Sequence, residues 1–236
     1  MSWICKYVNS SIGKKQLMAV SGGCLLGFLL VHTVGNASLL IPDEAARHEA
    51  FMTVANTYAS MKFLLYIAEA GLVVLFATHI FNAIRTKLEN VKARGNVAYD
   101  VKVKVGDRSL PSFTMVISGV YLLVWLISHI CTIKLGLKLF PEVISEGVGR
   151  SVENIDLYDV YVYWMSQWWY ALTMIVAMVL VGFHLWHGAG SLFQTLGIRH
   201  PKYTPILEVC AKAYALFVSV ATTAICVTVF IRGVIR

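Results

Sequence analysis

The stretch Met178-Val-Leu-Val-Gly-Phe-His184-Leu-Trp-His187-Gly-Ala-Gly-Ser-Leu-Phe-Gln-Thr-Leu-Gly197 places two histidines inside an apolar run that is long enough to cross a bilayer. A titratable ring in hydrocarbon is uncommon, and it generally faces a bundle interior, a cavity or a cofactor. The stretch therefore predicts a transmembrane helix that carries part of a functional site.

The composition indicates that the rest of the chain is also embedded in a membrane. Of its 236 residues, 58% are hydrophobic and 14% are charged, whereas a typical soluble domain carries roughly 25% charged residues. The five cysteines are scattered without a CxxC motif, which argues against a disulfide framework or a metal knuckle. The net charge is +7, and the basic residues lie between the apolar segments. This distribution indicates that they set the membrane topology rather than bind nucleic acid. We expect one domain over residues 1–236.

Five apolar segments reach the roughly 20 residues that a helix needs to span the hydrocarbon core. They predict transmembrane helices at Leu17–Ile41, Phe63–Ile84, Phe113–Lys134, Trp168–Leu196 and Ile206–Ile231. The predicted fold class is an all-α integral membrane protein whose five spans form a bundle.

Basic residues in the connections predict the orientation of the spans, because lysine and arginine accumulate on the cytoplasmic side. The connection between the second and third spans holds seven basic residues against three acidic ones, and Lys6, Lys14 and Lys15 precede the first span. The connections after the first and third spans are mainly acidic. We therefore expect the amino terminus in the cytoplasm and the carboxyl terminus outside.

The connection at 85–110 is long for a helix bundle, and Val-Lys-Val-Lys-Val at 101–105 alternates like a short strand. Two interpretations stay open for this basic segment. It is either a docking surface for a soluble partner or a solvated loop that only fixes the topology.

Five of the seven histidines lie within the predicted spans, on four different helices: His32, His79, His129, His184 and His187. A lone histidine in a membrane helix often only forms a hydrogen bond to a neighbouring helix. One histidine on each of four helices indicates instead that these residues belong to a common functional site. Odd-numbered spans run outward and even-numbered spans run inward. The rise of 1.5 Å per residue thus places His32 and His129 in the outer half of the bilayer. His79 and a histidine of the fourth span fall in the cytoplasmic half.

Two histidines on facing helices are what a non-covalent b-type haem requires, with one imidazole on each side of the iron and an apolar slot around the macrocycle. The pattern therefore predicts two b haems, which would carry electrons across the membrane. His184 and His187 are three residues apart and share a face, so depth alone does not separate them. We prefer His184 as the ligand, with His187 as the alternative ligand or as a contact for a haem propionate or a quinone.

Glu69 is a carboxylate inside the second predicted span, ten residues or about 15 Å before His79. This spacing places it toward the outer histidine pair. Reduction of a quinone takes up two protons, so its site needs a protonatable or hydrogen-bonding group. Two interpretations of Glu69 stay open: it handles protons at an outer quinone site, or its carboxylate bonds to a neighbouring helix or reaches the interface. A quinone site on the cytoplasmic side, formed by Ser21, Ser191 and Gln194, is the alternative to an outer site.

These residues together resemble those of one family: the single-chain, five-helix, dihaem cytochrome b subunit that anchors succinate dehydrogenases and fumarate reductases. The motifs that carry the resemblance run from end to end of the chain: Asn9-Ser-Ser-Ile-Gly-Lys-Lys15, Leu30-Val-His32-x-x-x-Asn36, His79, Lys92-Ala-Arg-Gly95, His129 and His184-Leu-Trp-His-Gly188-x-x-Ser191-x-x-Gln194-Thr-Leu-Gly197.

The resemblance implies that His79 and His184 ligate the haem nearer the soluble subunits, and that His32 and His129 ligate the farther one. It also implies a flavoprotein subunit with FAD and an iron–sulfur subunit, both on the cytoplasmic face of a bacterial inner membrane. The substrate of this chain would be menaquinone or ubiquinone, and the complex could form a dimer. Two other classes stay open: a cytochrome b subunit of a hydrogenase, formate dehydrogenase or nitrate reductase, and a membrane transporter without haem.

Overall fold

A computed structural model of the protein describes residues 2–94 and 110–235. These residues form no β-strand and contain ten α-helices: α1 (Trp3–Asn9), α2 (Ser11–Gly35), α3 (Glu44–Ser60), α4 (Lys62–Arg94), α5 (Leu110–His129), α6 (Gly136–Leu139), α7 (Pro141–Val148), α8 (Leu157–Ser166), α9 (Trp168–Thr195) and α10 (Thr204–Ile235). The strand predicted at 101–105 and most of the basic connection around it lie outside the described residues.

Five of these helices, α2, α4, α5, α9 and α10, are long and apolar enough to cross a membrane, which confirms the five predicted spans. α4 and α10 extend beyond both boundaries that hydropathy predicts, whereas α2 and α9 end at Gly35 and Thr195, before the predicted Ile41 and Leu196. α4 continues ten residues past Ile84, because the polar sequence 85–94 contains neither glycine nor proline to end it. α5 passes directly into a π-helix at Ile130–Lys134.

Further helices fill the two connections that are mainly acidic in the sequence. Asp43 caps α3, since its Oδ1 accepts a hydrogen bond of 2.8 Å from the backbone N–H of Ala46. Asp156 and Asp159 form a reciprocal capping box at the start of α8. We call the end of the bundle that carries α3 and α8 the α3 end, and the opposite end the α1 end.

Two arginines close the α3 end around the last carbonyls of the first span. The buried Arg47 donates to the hydroxyl of Tyr158 at 2.9 Å and to the backbone oxygen of Ile41 at 2.8 Å. Arg232 of α10 donates to the same oxygen of Ile41 at 3.0 Å. Cations suit the carbonyl end of a helix, where oxygens lack intrahelical partners. The two side chains thereby join α3, α8 and α10 to the end of the first span.

The packing of the five long helices leaves a cleft on one side of the bundle. α9 is central and packs against α10, α5 and α2, whereas α4 packs mainly against α2 and α5 mainly against α9. The helices α4, α2, α9 and α5 therefore stand in a curved row. In the part of the chain that the structure describes, the end helices α4 and α5 do not pack along each other. Two diagonals cross the cleft: one from α4 to α9, the other from α2 to α5.

Candidate functional site

His79 of α4 and His184 of α9 face each other along one diagonal of the cleft. Their ring centroids are 6.3 Å apart, and the ring planes are inclined by 63°. The Nδ1 atom of His79 lies 3.1 Å from the backbone oxygen of Met18 on α2. Because a carbonyl only accepts hydrogen bonds, Nδ1 carries the proton of the neutral ring and Nε2 keeps a free lone pair.

A serine on α5 fixes the other ring of this pair. Ser118 is fully buried, and its Oγ lies 3.2 Å from Nδ1 of His184 while it donates to the backbone oxygen of Met115 at 3.1 Å. A hydroxyl has one proton, so Nδ1 of His184 is the donor in this arrangement. Both rings thus present an unprotonated Nε2, which is the form of imidazole that binds a metal.

Glycines on the two neighbouring helices give these rings their space. A Cβ atom placed on Gly22 of α2 would lie 3.2 Å from Cε1 of His79, closer than most real Cβ contacts. A Cβ on Gly119 of α5 would lie 3.6 Å from Cε1 of His184, at ordinary contact distance. A larger residue at Gly22 would therefore displace the His79 ring.

His32 of α2 and His129 of α5 form the second pair, on the other diagonal. Their ring centroids are 6.1 Å apart and the planes are nearly perpendicular, at 89°. Aromatic rings hold them: Phe28 stacks on His32 at 5.4 Å, and Trp125 stacks on His129 at 5.1 Å. Nδ1 of His129 is buried and has no hydrogen-bond partner in the described residues. Stacking, rather than a hydrogen bond, orients this ring.

The two pairs lie at different depths of the bundle. On α2, ten residues separate Gly22, beside the first pair, from His32 in the second. On α5, eleven residues separate Ser118 from His129. At 1.5 Å per residue the pairs stand about 15 Å apart along the bundle axis. The His79–His184 pair is nearer the α1 end, and the His32–His129 pair is nearer the α3 end.

The centroid separation of each pair matches that of two imidazoles on opposite sides of one metal ion. Two imidazoles on opposite sides of one metal, each bonded at about 2 Å, have ring centroids roughly 6.3 Å apart. Among the described residues, no group of three or more His, Cys, Asp or Glu side chains could hold a metal ion. Each pair consists of two imidazoles, and a haem macrocycle is a group that would bring the other four donors. The two imidazoles of each pair are a donor set compatible with such a group.

The other two predicted site residues lie apart from these pairs. His187 is one turn beyond His184 and partly exposed, and its ring contacts none of the other histidine rings within the described ranges. The structure thus brings His184, and not His187, opposite His79. The Glu69 carboxylate forms an ion pair with the Lys134 ammonium at the end of the π-helix. Of the two interpretations of Glu69, the structure favours a bond to a neighbouring element.

Several residues that shape the site are absent from the sequence prediction. Ser118 and the carbonyl of Met18 hold rings that belong to other helices, so no local pattern marks them. The contacts of Phe28 and Trp125 can be predicted from the sequence, because each residue precedes its histidine by four positions and therefore lies on the same helical face.

No family model, curated protein or solved structure matches this chain. The fold defines its class as a helical protein with five candidate membrane spans. Any statement of its activity consequently depends on the two histidine pairs.

Proposed function

We propose that this chain is the membrane-anchor and electron-transfer subunit of a succinate:quinone oxidoreductase. In this role it passes electrons through two b haems between an iron–sulfur subunit and a membrane quinone. The observation that carries the proposal is the presence of two facing imidazole pairs, with centroid separations of 6.3 and 6.1 Å, on the two diagonals of one bundle.

Four histidines would hold the two haems: His79 with His184 near the α1 end, and His32 with His129 near the α3 end. A bound b haem supplies a one-electron carrier whose potential depends on its axial ligands and surroundings. The protein orients the imidazoles beforehand. Hydrogen bonds at Nδ1 hold the rings of the first pair and leave both Nε2 atoms unprotonated. Stacked aromatic rings fix the second pair.

The α1 end would face the cytoplasm and the soluble subunits. Beyond the predicted membrane boundary, α4 continues as a helix whose exposed Lys87 and Lys92 support docking of a soluble partner. The partners would be an iron–sulfur subunit and a flavoprotein subunit that holds FAD. The location would be a bacterial inner membrane, with menaquinone or ubiquinone as substrate.

Purification of the chain from its native membranes tests this proposal. We expect a flavoprotein and an iron–sulfur protein to copurify, and we expect succinate to reduce the b-type absorption of the complex. A b-type spectrum with neither partner nor response to succinate or fumarate would assign the chain to another class of quinone-linked cytochrome b. A dithionite-reduced sample without a b-type α band would exclude haem and leave the transporter interpretation.

A further inference from the structure

The first helix, α1, meets the first span at a sharp and well-defined elbow. Ser10 lies between them, and its Oγ donates to the backbone oxygen of Tyr7 at 2.6 Å and accepts from the N–H of Gly13 at 2.9 Å. The two helices approach so closely that a Cβ on Gly13 would lie 2.0 Å from the oxygen of Tyr7. The elbow therefore holds α1 in a set orientation against the bundle.

Most of the apolar surface of α1 faces away from the bundle, unlike that of a helix that packs on a protein core. Trp3 is 76% exposed and Ile4 is 54% exposed, and Ile12 at the start of α2 continues this surface at 67%, whereas Val8 is the one residue of α1 that is partly buried. None of the residues of α1 is buried. Its polar side faces the protein, since Oδ1 of Asn9 accepts hydrogen bonds of 3.1 and 3.2 Å from Arg85 on α4.

The charged residues of the amino-terminal segment, which carries this surface, are all positive. The first acidic residue of the chain is Asp43, so the amino-terminal region carries only lysines. Lys14 is buried in an ion pair with Glu89, but Lys6 and Lys15 are exposed beside the apolar surface. Tryptophan and tyrosine prefer the interface of a membrane, and lysines there attract anionic lipid headgroups.

We infer that α1 lies in the headgroup layer of the membrane, with Trp3, Ile4 and Tyr7 in the acyl boundary and with anionic phospholipid as its partner. The apolar surface is continuous with the lipid-facing side of α2 through Ile12, which favours lipid over a protein partner. The elbow and the bond to Arg85 keep α1 at this level. The inference does not depend on the proposed electron-transfer function.

Spin-label accessibility in the full-length chain tests the inference, because α1 contains its own control position. Cys5 is native and lies on the polar side, next to Ile4 on the apolar side. In a chain with Cys24, Cys131, Cys210 and Cys226 replaced, a label at Cys5 is compared with a label at position 4 in Ile4→Cys/Cys5→Ser. Collision with oxygen reports lipid, and collision with a water-soluble nickel chelate reports solvent. Both chains are reconstituted in nanodiscs with and without phosphatidylglycerol.

We expect the label at position 4 to favour oxygen and the label at position 5 to favour the nickel chelate. Replacing both lysines, in Lys6→Gln/Lys15→Gln, should lower the equilibrium constant for binding of α1 to the interface of anionic discs by about fivefold per lysine. In neutral discs the same replacement should leave the accessibility of position 4 unchanged. Equal accessibility of the two positions in anionic discs would overturn the inference. So would a position 4 that is exposed to solvent in discs and is protected only when soluble subunits bind.

Discussion

The Oγ atom of Ser118 on α5 lies 3.2 Å from Nδ1 of His184 on α9, so a third helix orients a ring of the α4–α9 diagonal. Removal of a side chain that forms a hydrogen bond to a metal-ligating histidine typically lowers the metal affinity by about 10–100-fold. We expect Ser118→Ala to weaken haem binding at the His79–His184 pair by this factor and to spare the other pair. Transfer of haem to a haem-free acceptor protein measures the loss.

Ser128→Ala is the matched control for this change, since Ser128 lies on the same helix and is exposed. Equal rates of haem loss from the two variants would contradict the role assigned to Ser118.

Gly22→Val tests the close approach of α2 to His79. The added side chain must displace the ring, because even a Cβ would lie 3.2 Å from Cε1. We expect this variant to retain one haem instead of two. Gly27→Val on the same helix is the control, because a Cβ at Gly27 meets no atom within 4 Å. Two haems in both variants would show that the helix spacing around His79 is not limiting.

The ion pair between Glu69 and Lys134 predicts an electrostatic effect on the haem that we propose for His32 and His129. Lys134 lies five residues beyond His129, and its charge is balanced by the carboxylate of Glu69. Reduction adds negative charge to the haem, so Glu69→Gln should raise its midpoint potential, Lys134→Met should lower it, and the double variant should restore it. Redox titration of the α band measures each haem separately.

Two outcomes separate this electrostatic role from proton handling. Unshifted potentials in both single variants would contradict the electrostatic role. Quinone reduction that keeps its rate and pH dependence in Glu69→Gln would end the proton-handling interpretation.

Arg47 should stabilise the α3 end more than an exposed arginine does. Arg47→Ala removes a buried side chain and leaves the oxygen of Ile41 and the hydroxyl of Tyr158 with fewer partners, which we expect to cost about 1–3 kcal/mol. Arg150→Ala is the control, since the half-exposed pair of Arg150 with Asp159 should contribute about 1 kcal/mol or less. Thermal unfolding in detergent compares them, and equal midpoints would contradict the prediction.

Local patterns of the sequence predict much of this architecture. Hydropathy predicts the five spans, and the order of the histidines predicts which rings meet, because alternate spans run in opposite directions. The sequence does not reveal contacts that depend on the rotation of one helix against another. Ser118 looks like any small residue in α5, and Lys134 looks like a residue that only ends a span. Local patterns do not predict α3 either, since its apolar residues do not follow a single stripe.

The most direct test of the central claim is the haem content of the purified chain, measured as the pyridine haemochrome per polypeptide. We predict two b haems in the wild-type chain and one after each single replacement of His32, His79, His129 or His184 by alanine. His187→Ala should retain both. Absence of b haem from the wild-type chain would contradict the account, and two haems in His184→Ala with one in His187→Ala would move the ligand by one turn of α9.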